Sequence, residues 1–96
     1  MVRPCNYRHV HKEPGVTYFK PAGVPLSNLS EIVLLVEEFE AIRLKDLESL
    51  EQEECATKMN ISQPTFHRLL LSARKKISDA IVNGKAIKIK GGKYSL

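Results

Sequence analysis

A mainly α-helical domain with short β-strands near its N- and C-termini is what this 96-residue sequence predicts. Three observations carry the prediction. Apolar residues recur at helical spacing from Phe39 to Ile81. Within that span, residues 50–77 (LEQEECATKMNISQPTFHRLLLSARKKI) read as two helices about a tight turn. Two β-rich runs lie outside it: VTYFK (16–20), bounded by Gly15 and Pro21, and the alternating AIKIK (86–90), ended by Gly91-Gly92. The chain accordingly divides into an irregular basic N-terminal arm with a short strand (1–30), a helical domain (31–83) and a C-terminal strand tail (84–96).

In the first thirty residues Pro4, Pro14, Pro21 and Pro25, with Gly15 and Gly23, exclude a long helix. EIVLLV (31–36) is ambiguous between the end of an extended segment and the first turn of a helix. From Glu37 the pattern is helical. Glu37, Glu38 and Glu40 place negative charge at a helix start, where the dipole favours it, and the paired acids Glu37/Glu38 and Glu53/Glu54 read as dipole complements and solvated faces. Phe39, Ile42, Leu44 and Leu47 form an apolar stripe expected to pack under the helix pair. Ser49-Leu50-Glu51-Gln52 fits a capping box opening a short helix over 51–58. Asn60 stands where one residue must turn left-handed, and Asn tolerates this better than other non-Gly residues. Ser62 offers its hydroxyl to the open amides of the next helix, with Pro64 tolerated in the first turn. Helical spacing then continues through Ala80 and Ile81 until Asn83-Gly84, a C-cap signal. The strand that follows needs a partner. The 16–20 segment is one candidate; another subunit, giving a homo-oligomer through the terminal strands, is equally open.

The spacing inside 50–77 fits a helix-turn-helix. Ala56 is small where the two helices must cross, and Asn60 turns the chain four residues later. Cys55, Ile61, Phe66, Leu69 and Leu70 are the apolar residues that lock the second helix across the first. In such a motif the second helix enters the DNA major groove. Gln63, His67, Arg68 and Leu71 are then placed to face base edges, Arg68 suiting guanine and Gln63 adenine. Ser62, Thr65, Arg74 and Lys75 are placed on phosphates. An ordinary pair of helices in a small α protein shows similar apolar spacing, so the charge distribution matters. The net charge of +4 divides into +3 over residues 1–30, −7 over 31–54, +1 from Lys58 and +7 over 62–96. A basic second helix and tail with an acidic region behind them is the footprint of a phosphate-binding surface.

Composition bounds the other classes. Apolar content of 43% with 27% charged residues is that of a globular domain. No run of eighteen apolar residues and no apolar signal core occurs, so a cytoplasmic protein without a membrane partner is expected. Two cysteines make no disulfide framework, and Cys55 sits at a core position. Cys5, His9 and His11 are weak metal candidates, without a second Cys/His pair nearby. With Arg3, Arg8 and Lys12 they could instead form a basic arm on DNA, or simply a packed segment. No catalytic grouping, phosphate loop or HExxH spacing is present, so neither an enzyme nor a cofactor is expected.

Residues 38–77 resemble region 4 of bacterial sigma factors: an acidic ExEAxRL helix, a QEExA helix, a short turn and a Ser-x-x-Thr helix ending ARKK. More closely, RPC (3–5), FKPAGVPL (19–26), EEFEAIRLKDLESLEQEECA (37–56), SQPTFHRLLLSARKKI (62–77) and GKAIKIKGG in the tail resemble domain-of-unknown-function family 134, small predicted DNA-binding proteins. The resemblance covers nearly the whole chain and implies a helix-turn-helix regulator. Asn60 stands where that family more often has Gly, and Gln63 where it usually has Arg. Sequence-specific binding of double-stranded DNA is the favoured function. Two other readings stand beside it: a protein-interaction module contacting RNA polymerase or another factor through the acidic segment, and a metal- or redox-responsive switch on Cys5, His9 and His11.

Overall fold

The computed structural model describes residues 7–96. Its elements run β1 (Arg8–His9), β2 (Tyr18–Phe19), a 3₁₀ turn at Leu26–Asn28, β3 (Glu31–Leu34), α1 (Val36–Ile42), a π-type turn at Arg43–Leu47, α2 (Gln52–Met59), α3 (Gln63–Asn83), β4 (Ala86–Ile89) and β5 (Tyr94–Ser95). The chain is mainly helical, with short strands.

The strand after α3 finds its partners within the chain. β4 lies between β2, antiparallel to it, and β3, parallel to it. Lys88 is opposite Tyr18 and Val33, and Ile87 is opposite Phe19 and Ile32. The 16–20 segment is therefore a partner of β4, although only Tyr18–Phe19 is regular. The ambiguous EIVLLV run resolves as strand for its first four residues. Leu35 is still extended (φ −70°, ψ 152°), and its N–H donates to the Glu38 carboxylate at 2.9 Å as α1 begins. A second small sheet pairs β1 with β5 in parallel, Arg8 opposite Tyr94.

Two apolar clusters hold the helices. One buries Ala41, Leu44, Cys55, Ala56, Met59, Phe66 and Leu70. The other buries Val10, Leu34, Val36, Ala73 and Ile89. α3 spans both, with Phe66 and Leu70 in the first and Ala73 in the second. Its 21 residues run about 31 Å at 1.5 Å per residue. The Ser62 hydroxyl caps its start by accepting the Thr65 N–H at 3.3 Å, and left-handed Gly84 (φ 65°) ends it. No helix among the described residues is long and apolar enough to cross a membrane.

Three expectations between α1 and α2 are corrected. Leu47 is 75% exposed instead of packing under the helix pair. The chain closes a π-type turn there, with the Glu48 N–H donating to the Arg43 carbonyl five residues back at 2.9 Å. Such a turn holds more residues than an α-turn, so Leu47 rotates off the stripe of Phe39, Ile42 and Leu44. Ser49 is not a cap either: it is left-handed (φ 61°), and Glu51 occupies the N-cap of α2 without a side-chain bond. Glu37 and Glu38, read as solvated, are both buried, and so is Glu40. Their face of α1 turns inward, toward β1, α3 and the tail.

Candidate nucleic-acid interface

The geometry of α2 and α3 follows from a few residues. Asn60 ends α2 in the left-handed region (φ 59°, ψ 44°), and the Ile61 N–H returns to the Ala56 carbonyl at 3.0 Å. Ala56 and Phe66 are almost fully enclosed, with Cys55 and Leu70 beside them; Ile61 and Leu69 pack at the margin of the same cluster. Burial pushes the Cys55 thiol above its ordinary pKa.

With that face inward, the opposite face of α3 is open. Gln63, His67, Arg68 and Leu71 are all exposed, as are Ser62, Arg74 and Lys75, while Thr65 is half-buried. The first turn is internally braced. The Ser62 hydroxyl donates to Thr65 Oγ1 at 2.9 Å, and that oxygen also accepts from an Arg68 guanidinium nitrogen at 3.3 Å.

The Arg74-Lys75-Lys76 run behaves less uniformly than its charge suggests. Arg74 closes on Asp46, Nε to Oδ2 at 3.1 Å and a terminal nitrogen to Oδ1 at 2.6 Å. The pairing holds the Asp46 carboxyl below its usual range and raises the Arg74 guanidinium. Lys76 donates to Glu38 at 2.7 Å, and Ser72 donates to the other oxygen of that carboxylate at 2.5 Å. Lys75 makes no ion pair among the described residues. The sequence marks Glu38 only as a helix-start charge and gives Asp46, Ser72 and Lys76 no role, because these pairings bridge 28 to 38 positions and no local pattern announces them.

The N-terminal histidines lie elsewhere. β1 is fixed to β5, with the Val10 N–H donating to the Ser95 carbonyl at 2.8 Å and Val10 itself buried. His9 and His11 line a cleft of about 450 Å³ beside Glu40, Arg43, Glu48 and Lys58. Its charges are partly paired to each other: Glu40 accepts from Arg43 Nε at 2.8 Å and from the His11 N–H at 3.2 Å. No group of three or more His, Cys, Asp or Glu among the described residues is placed to hold a metal ion. Cys5, the third member of the metal cluster considered from sequence, and Arg3 lie outside the described residues.

Known proteins place the chain in a group. The family described as "Protein of unknown function DUF134" matches residues 1–96. A UPF0251 protein of Caldanaerobacter subterraneus subsp. tengcongensis is 64% identical over the whole chain, which covers 81% of that relative. A UPF0251 protein of Thermoanaerobacter sp. is 63% identical over 98% of the chain and 83% of its own length. One of Moorella thermoacetica is 64% identical over the whole chain, which covers 64% of it. No solved structure matches. With every residue of the chain inside the family match, and relatives this similar, the protein belongs to the DUF134 family of UPF0251 proteins.

Proposed function

We propose that the protein binds double-stranded DNA in a sequence-specific manner through a helix-turn-helix resembling sigma region 4, and acts as a transcriptional regulator. One observation carries this reading: Gln63, His67, Arg68 and Leu71 occupy one open face of α3, while Phe66 and Leu70 fix its other face against α2. An α-helix presented this way fits the major groove, and its N-terminal half reaches base edges. Ser62, Thr65 and Lys75 lie where the helix would meet phosphates, and Arg74 joins them on leaving Asp46. Selection of bound sequences from a random duplex pool, followed by gel shifts across a salt series, tests the proposal. Arg68→Ala should cost about 1–3 kcal/mol at one position of the site and relax its specificity. Lys75→Ala should weaken all sequences alike and lower the salt slope by about one unit. Recovery of no preferred sequence, with no salt-sensitive binding, refutes it.

A second reading has its own observation. Glu48, Glu51, Glu53 and Glu54 are exposed together at the start of α2, an acidic surface suited to a basic protein partner such as part of the transcription machinery. It predicts binding to such a partner without salt-sensitive affinity for DNA. A second copy of the chain could add to the outer edges of β1, β2, β3 or β5, since β4 uses both of its edges internally.

A further inference from the structure

Three consecutive cations on α3 are held in three different ways, and the middle case of strength is the informative one. Lys76 is committed: its partner Glu38 has a side chain only 3% exposed, and releasing it would strand a buried carboxylate. Lys75 is free of ion pairs among the described residues. Arg74 is bound but exchangeable. Its fork closes on Asp46 through two hydrogen bonds, yet the two side chains are 46% and 38% exposed. An ion pair that open to water is weak, because solvent screens it and both side chains give up rotamer freedom to hold it. A phosphate offers a guanidinium the same two-oxygen, charge-assisted geometry as a carboxylate.

We infer that Asp46 is a built-in competitor for the DNA backbone: it occupies the Arg74 guanidinium as a phosphate would and yields it only when DNA docks. The inference rests on the DNA-binding reading above and adds regulation of the same surface. Asp46 sits on the π-type turn between α1 and α2, outside the stretch that forms the helix-turn-helix, and reaches α3 across 28 positions of sequence. While the pair is closed, Arg74 contributes no net charge to counterion release. When it opens, one phosphate contact is gained and the Asp46 carboxylate is left beside a like charge. Asp46 thereby lowers affinity for every duplex alike and leaves discrimination to Gln63, His67 and Arg68. It is a positioning residue acting through Arg74.

Full-length protein and the variants D46N, D46E, R74A and D46N/R74A are titrated with a selected duplex and a scrambled one over a range of salt. D46N should tighten both duplexes by about 3–10-fold while the log K against log salt slope stays close to the parent's, because Arg74 neutralises the same phosphate in both complexes. D46E, which can close the same fork, should stay near the parent. In the R74A background D46N should have no further effect. In the unmodified protein, saturating duplex should raise the titration midpoint of the Asp46 carboxyl, because the guanidinium leaves it; this readout needs no substitution and is independent of any change in folding. Unchanged or weaker binding by D46N overturns the inference, as does an effect of equal size with R74A, which would mark a general field of the removed charge. If the parent protein binds neither duplex in a salt-sensitive way, the DNA-binding reading itself fails; salt-sensitive binding without the Asp46 signature sinks only the competitor.

Discussion

Two neighbouring glycines in the tail allow a contact to be separated from backbone strain. Gly91 and Gly92 both have positive φ, 74° and 93°, so alanine is strained at either. Their surroundings differ. A Cβ at Gly91 meets nothing within 4 Å, whereas one at Gly92 would overlap Oε1 of Glu37 and lie 2.8 Å from its Cδ. Glu37 is 4% exposed, so its carboxylate has little room to retreat. That oxygen has no hydrogen-bond partner among the described residues, which makes the penalty steric and not a lost bond. Left-handed strain costs about 1–2 kcal/mol, and alanine recovers about 0.4–1 kcal/mol by restricting the unfolded chain. Gly91→Ala should therefore destabilise by about 1 kcal/mol. Gly92→Ala adds an overpacking cost of about 1–3 kcal/mol, for roughly 2–4 kcal/mol in all. At about 4–8 °C per kcal/mol for a domain of this size, the Tm should fall by roughly 5 °C in the first case and roughly 10–30 °C in the second. Thermal unfolding followed by circular dichroism measures both, and the double variant Glu37→Ala/Gly92→Ala should recover about 1 kcal/mol or more of the difference as coupling. Equal losses at the two glycines, or additivity in the double variant, would refute the argument that Glu37 is wedged against the tail.

Phe66→Ala removes a fully buried ring between α2 and α3 and should cost about 3–5 kcal/mol in chemical denaturation; loss of DNA binding at unchanged stability would contradict its place in the core. The Asp46 carboxyl is held low by Arg74, so its contribution to stability is present above the ordinary carboxylate pKa and is lost as pH falls through its depressed folded value. Arg74→Ala should return the Asp46 midpoint to the usual range in a carbon-13 titration and shrink the stability lost in that acid window. Cys55, buried with its thiol pushed up, should react with an aromatic disulfide far more slowly in the folded Cys5→Ser protein than after denaturation; equal rates would show that the first core cluster opens readily.

The helix pair was legible because its signals are local and mutually consistent. Asn60 and Ser62 announce the turn and the cap, and Cys55, Ala56, Phe66 and Leu70 keep a 3.6-residue period that survives in the buried set. The stretch before it was less legible, for three separate reasons. EIVLLV is continuously apolar, so nothing in its period tells strand from helix, and only its pairing with β4 decides. Leu47 was placed by counting an α-helical period through a π-type turn that breaks the count. The acids of α1 obey a sound rule about helix dipoles, and Glu38 does cap the helix start. Their burial depends on Ser72, Lys76 and the His11 backbone, contributed by distant residues that single-sequence periodicity does not connect. The candidate site shows the same division. The open face of α3 could be read from its spacing, whereas the pairing of Arg74 with Asp46 required the fold.

The placement of β4 between β2 and β3 has a consequence for biogenesis. Its partner Glu31 lies 55 positions before Ala86, and the intervening chain is the whole helical part of the molecule. A ribosome releasing this protein has already delivered α1, α2 and α3 before the residues that seat them emerge. The helices can sample their turn early, while the second apolar cluster, which needs Ile89, must wait for β4. A nascent chain stalled before Ala86 would leave β3 and the Ala73 side of α3 uncovered, and a chaperone that shields apolar surface would find its substrate there.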